Sequence, residues 1–97
     1  MFARVSTFQG TAEGVAQSLT RTTDVLERAK ALAGFKGMYY LVDRESGKGM
    51  SVTLWESESD LQASVDAANQ IRSEEAAADG SEILAVEHFE VAAAELL

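Results

Sequence analysis

The sequence predicts an α+β domain: a four-stranded antiparallel sheet with two helices on one face. Three observations carry this. Residues 36–56 read as two alternating strands around a glycine-rich turn. A helical pattern lies on each side of that hairpin, and a strand-like stretch stands near each end. Ninety-seven residues make one domain, because two cores would each be too small to stand alone.

Phe2–Phe8 alternates, with Phe2, Arg4, Ser6 and Phe8 on one face and Ala3, Val5 and Thr7 on the other. Gln9, Gly10 and Thr11 break this strand, and Thr11 suits a helix cap with Glu13 in the first turn. Val15, Leu19, Leu26, Ala29 and Ala33 then recur at helical spacing, which predicts one helix near 12–33 that leaves through Gly34. Strands follow over 36–42 and 48–56, joined by the polar loop from Asp43 to Gly49. Gly47 and Gly49 do not lead a strand into a helix, so they read as turn glycines rather than a phosphate cradle. Ser57 stands three residues before Asp60 as a capping-box variant, and Leu61, Val65, Ala68 and Ile71 define a second helix. Its apolar stripe fades over 73–79 before Gly80 ends it. Ile83–Val91 is the last strand, with residues 92–97 as a tail. This order, strand–helix–strand–strand–helix–strand, is the ferredoxin-like βαββαβ plan.

Composition excludes several functions. A net charge of −8 with scattered Lys and Arg argues against a nucleic-acid surface, which needs clustered cations. The absence of cysteine removes thiol catalysis and thiolate metal sites and suits a reducing cytoplasm. With one histidine there is no multi-histidine metal centre, and no acidic cluster has calcium-loop spacing. The N-terminus lacks the long apolar run of a signal peptide or membrane span. A cytoplasmic protein without metal, nucleic-acid or membrane partners is therefore expected.

Two helices cover one sheet face, so a monomer should wet the other. The strands do not read that way. Tyr39 and Leu41 oppose Met38, Tyr40 and Val42, and Ile83, Ala85, Phe89 and Val91 alternate with Leu84 and Val86. Four strands ~4.8 Å apart, each giving about five residues at ~3.3 Å, span roughly 300 Å² in projection. Side-chain relief brings that patch to the size a monomer rarely leaves apolar. The expected solution species is a homodimer through the sheet, with a tail folded across the face as the alternative.

The run GFKGMYYLVD, the hairpin, and then VTLWESESDL resemble the antibiotic-biosynthesis-monooxygenase superfamily of dimeric α/β-barrel proteins. The resemblance extends over residues 2–92 in element order, with the recognisable motif at 34–61, and implies a single domain over 1–97. The superfamily includes cofactor-independent oxygenases, haem-degrading monooxygenases, isomerases, stress proteins and members with no assigned reaction; in its cofactor-independent oxygenases the substrate's own carbanion reduces dioxygen without metal or flavin. The haem-degrading members use a strand-1 asparagine, the tryptophan ending strand 3 and a helix-2 histidine. Trp55 matches the tryptophan, Ala3 falls at the asparagine, and helix 2 has no histidine. The resemblance therefore does not imply haem breakdown by that route.

By the same resemblance, Ser51, Thr53 and Trp55 face the helices and line a pocket with Ala3, Val5 and Thr7. Trp55 offers a flat surface and one donor for an aromatic ligand, or simply fills the core. Tyr39 and Tyr40 point to opposite faces, so one of them at most serves a pocket. Tyr40 is the candidate donor to a developing oxyanion, with an interface or core role as the alternative. His88 is the natural general-base candidate, with Glu90 on its strand face, or else a surface histidine. Arg72 either meets an anionic substrate group or pairs with Asp66 or Glu75, the commoner arrangement on a helix. Glu56, Glu58 and Asp60 complement a helix start rather than form an acid/base pair. Two functions follow: a monooxygenase acting on a small aromatic or polyketide-type compound, or a noncatalytic small-molecule-binding or structural dimer of the same fold.

Overall fold

The central hairpin pairs as its alternation requires. In a computed structural model describing all residues 1–97, β2 (Phe35–Val42) lies antiparallel to β3 (Lys48–Trp55). The turn depends on Gly47, whose φ of 79° is in the left-handed region. A side chain there would also strike the Gly10 carbonyl, and Gly10 N–H donates to Gly47 O at 2.9 Å. The hairpin tip is thereby fastened to the end of β1 (Phe2–Gln9). β1 pairs antiparallel with β3 on one side and with β4 (Glu82–Glu90) on the other, giving the order β2-β3-β1-β4. This is the expected ferredoxin-like sheet.

The helices differ from expectation in two respects: each of the two is broken, and the first ends at Lys30 rather than near residue 33. The first is α1 (Ala12–Leu19) and α2 (Thr22–Lys30), the second α3 (Glu58–Ala63) and α4 (Val65–Asp79). The cause is side-chain competition for backbone carbonyls. Around the first break Thr20 Oγ1 donates to Gln17 O at 2.7 Å and Ser18 Oγ to Val15 O at 2.8 Å. At the second, Ser64 Oγ donates to Leu61 O at 2.7 Å. The expected caps form, Thr11 accepting from Gly14 N–H and Ser57 from Asp60 N–H. α4 continues to Asp79 despite its weak stripe and ends at Gly80, φ 75°.

All four helices lie on one side of the sheet, and strand parity then assigns every side chain to a face. Cross-strand partners share a side, so Trp55, Thr53 and Ser51 travel with Phe2, Arg4 and Ser6 toward the helices. Val52 travels with Val5 and Tyr39, Leu54 with Ala3, and Met50 with Leu41 on the open side. There Tyr39 is 44%, Leu41 50% and Phe89 50% exposed. Between sheet and helices the packing is thin: Val15, Ala29, Trp55 and Leu61 are the buried apolar side chains on that side. No residue of α4 is fully buried. The interior is partly hollow.

Candidate functional site

The hollow is a cavity of about 140 Å³ between the inner sheet face and the helices. Its floor holds polar side chains: Arg4 and Ser6 from β1, Ser51 and Thr53 from β3, and Tyr40 from β2. Its roof is mostly apolar, with Val15, Val25, Ala68 and Ile71 from the helices. Arg72 from α4 is the cation in that roof, its Nε donating to Ser6 Oγ at 3.2 Å and its Nη1 to Asn69 Oδ1 at 2.6 Å.

Strand 1 corrects one expectation. Val5 pairs with Val52 on the open face, and Ala3 and Thr7 share that side, so none of the three lines the cavity. The pocket side chains of β1 are Arg4, Ser6 and Phe8. The parity of the β1–β3 ladder dictates this, because residues paired with Ser51 and Thr53 must face as they do.

Arg4 is the centre of the site. It is 3% exposed, and its guanidinium carbon lies 5.5 Å from the Trp55 ring centroid. Nη2 donates to Leu61 O at 3.1 Å and Ser64 Oγ at 3.0 Å, where the break between α3 and α4 leaves acceptors available. Nε donates to His88 Nε2 at 3.2 Å. Nη1 is buried and has no acceptor. The ion pairs of the chain link Arg21 to Glu75 and Asp79, Arg28 to Glu74, Lys30 to Glu27 and Lys36 to Glu56; none reaches Arg4 or Arg72. Burial first, and then the charge of Arg72, push the Arg4 pKa down to about 10. Burial also lowers that of Arg72. Both stay charged at neutral pH.

His88 sits beside Arg4 in the adjoining β4 row, outside the cavity lining. Desolvation first, then Arg4 and Arg72, lower its pKa, so the imidazole is neutral at pH 7. A neutral ring has one basic nitrogen, and here Nε2 already accepts from Arg4. His88 thus orients Arg4 in this arrangement. Tyr40 does line the cavity, its hydroxyl 2.8 Å from Ser18 Oγ, while Tyr39 faces outward. Trp55 is 1% exposed, its N–H donates to Thr53 Oγ1 at 3.0 Å, and Phe35 packs edge-on at 5.6 Å. Its donor is therefore engaged within the chain.

Arg72 makes neither of the ion pairs weighed for it, because Glu75 is bound to Arg21 and Ser6 holds the Arg72 Nε. Sequence reasoning missed Arg4, although a signal existed. Alternation places it in one row with Phe2 and Phe8, where a lone cation among aromatics on an inward face is out of place unless it has a task.

No family profile and no curated protein sequence matches the chain. Solved structures do. A provisional antibiotic biosynthesis monooxygenase from Deinococcus radiodurans superposes with a TM-score of 0.75 at 13% identity, over 100% of this chain and 98% of that one. SnoaB, a cofactor-independent oxygenase from Streptomyces nogalater, gives a TM-score of 0.68 at 14% identity, over 96% and 94%. MhuD, a heme-degrader from Mycobacterium tuberculosis with two hemes bound, gives 0.70 at 19%, over 98% and 99%. The chain has the antibiotic-biosynthesis-monooxygenase fold, as the motif at 34–61 implied.

Proposed function

We propose that the protein is a cofactor-independent monooxygenase acting on a small aromatic compound held between sheet and helices. The carrying observation is the pair Arg4 and Arg72, two guanidiniums without carboxylate partners at a cavity with a mostly apolar roof. SnoaB, with the same fold, is a cofactor-independent oxygenase, which supports the reaction class. A substrate with a methylene beside an aromatic carbonyl loses a proton to water, its acidity raised because the two arginines stabilise the oxygen of the resulting enolate. The enolate carbon then reduces dioxygen to a hydroperoxide. Loss of water from that intermediate leaves a ketone, so one oxygen atom enters the product and one leaves in water. Tyr40 donates a further hydrogen bond, Ser51, Thr53 and Trp55 shape the floor, and His88 holds Arg4.

The same reading makes the protein a cytoplasmic homodimer. Its open face carries Tyr39, Leu41, Met50, Val52, Leu54 and Phe89, and a second copy laid sheet to sheet removes that surface from water. No helix is long and apolar enough to cross a membrane.

Oxygen uptake by the purified protein with anthrone- and quinol-type compounds of one to three rings tests the reaction. Uptake that falls in Trp55→Phe is expected. No uptake, with Trp55 fluorescence still responding to the same compounds, would leave a noncatalytic binder of this fold instead. A light-scattering mass of one chain at micromolar concentration would rule out the dimer.

A further inference from the structure

We propose that this cavity selects a monocyclic aromatic anion, one ring bearing a carboxylate or ionised hydroxyl, whose oxygen is held jointly by Arg4 and Arg72. The inference rests on the reading of the cavity as an aromatic-compound site and adds to it a charge, a size and two recognition residues.

The charge follows from incomplete coordination. A guanidinium offers five N–H donors, and Arg4 spends three on His88, Leu61 and Ser64. The two on Nη1 have no acceptor, and a buried donor left unmade is costly. Arg72 spends donors on Ser6 and Asn69 and makes no bond through Nη2. The arginines are tied to one strand face: Arg4 belongs to it, and Arg72 is anchored by Ser6, two residues along, about 7 Å by strand geometry. An oxyanion between them would give Arg4 Nη1 the acceptor it lacks, offer Arg72 a charged partner, and relieve the repulsion that each cation exerts on the other. Neutral ligands do the first poorly and the second not at all. The carboxylates that line the cavity, Glu75 and Asp79, are held by Arg21 and do not compete.

The size follows from volume. At about 140 Å³ the cavity is comparable to the roughly 150 Å³ cavity that takes benzene, and below the ~300–1,000 Å³ of sites for larger ligands. One ring fits without moving α4.

The probes are benzoate, its neutral counterpart benzamide, and the tricyclic anthracene-9-carboxylate. Trp55 is the one tryptophan of the chain and Arg4 stands against its ring, so its emission reports binding without any reaction. Benzoate is expected to bind saturably, about tenfold or more tighter than benzamide, as charge-assisted hydrogen bonds require. Arg72→Gln should weaken benzoate by a similar factor and leave benzamide nearly unchanged. Arg4→Lys keeps the charge but loses the fork, and should weaken benzoate with the circular dichroism spectrum intact. Equal affinity for benzoate and benzamide, or an unaltered benzoate affinity in Arg72→Gln, would overturn the anion site. Anthracene-9-carboxylate binding as tightly as benzoate would overturn the one-ring limit. Benzoate binding without oxygen uptake on any substrate would remove the oxygenase reading and keep this one; uptake without anion preference would do the reverse.

Discussion

The two faces of the sheet have exchanged the characters that a soluble monomer gives them. The inner face, under the helices, carries Arg4, Ser6, Ser51, Thr53 and the Tyr40 hydroxyl, while the outer face carries Tyr39, Leu41, Met50, Val52, Leu54 and Phe89. Burying an unpaired guanidinium costs free energy that an apolar side chain would not. Exposing a row of large apolar side chains forgoes burial worth about 25 cal/mol per Å². Each face is therefore costly for the isolated chain, and the two occupants proposed above relieve those costs separately: a charged small molecule within, a second copy without.

The largest effect tests the inner face. Trp55→Ala deletes the most buried ring in the molecule and the surface against which Arg4 rests. It should cost about 3–5 kcal/mol by urea unfolding followed by far-ultraviolet circular dichroism. A loss below about 1 kcal/mol would mean that the cavity wall is not a structural unit. Next comes the outer face. Val52→Asp sets a carboxylate at the middle of the apolar rows, between Tyr39 and Val5. Leaving such a charge unpaired in a sheet-to-sheet contact should weaken the proposed dimer about a hundredfold, read by sedimentation over a concentration series. Unchanged association would place the contact elsewhere.

The smallest effect is the pH response of His88, at the inner-face margin. Its pKa is lowered in the folded chain by desolvation, then by Arg4 and Arg72. The unfolded chain takes up the proton first, so the stabilisation is complete above the unfolded value of about 6.5 and is lost as pH falls through the folded value. The urea midpoint should drop between about pH 7.5 and 5, and drop less in His88→Gln. Identical drops in both would show that neither desolvation nor the two arginines hold the His88 pKa down.

Much of this fold was legible because it rests on local chemistry. The alternation of 36–56, the caps at Thr11 and Ser57 and the exit at Gly80 each act within a few residues, whereas the first helical arm ends at Lys30, short of Gly34. The breaks at Thr20 and Ser64 were less visible, since hydroxyls that compete for a carbonyl also occur in unbroken helices. The site was half legible. Ser51, Thr53 and Trp55 face the helices as the resemblance implied, and Tyr40 and Arg72 join them. The face of strand 1 went wrong because periodicity says which residues travel together and not which way they look. Only the ladder, Arg4 opposite Thr53, decides that. Arg4 gained its importance from groups 57, 60 and 84 positions away in the chain, a distance no local pattern spans.

The long helix α4 has no fully buried residue, and Arg21 and Arg28 join it to the other arm through Glu75, Asp79 and Glu74. A seam between two roof arms that rests on partly exposed charges is one that dissolved electrolyte weakens. Ionic strength would then govern how readily the chamber admits a guest, separately from how firmly the guest is held once inside.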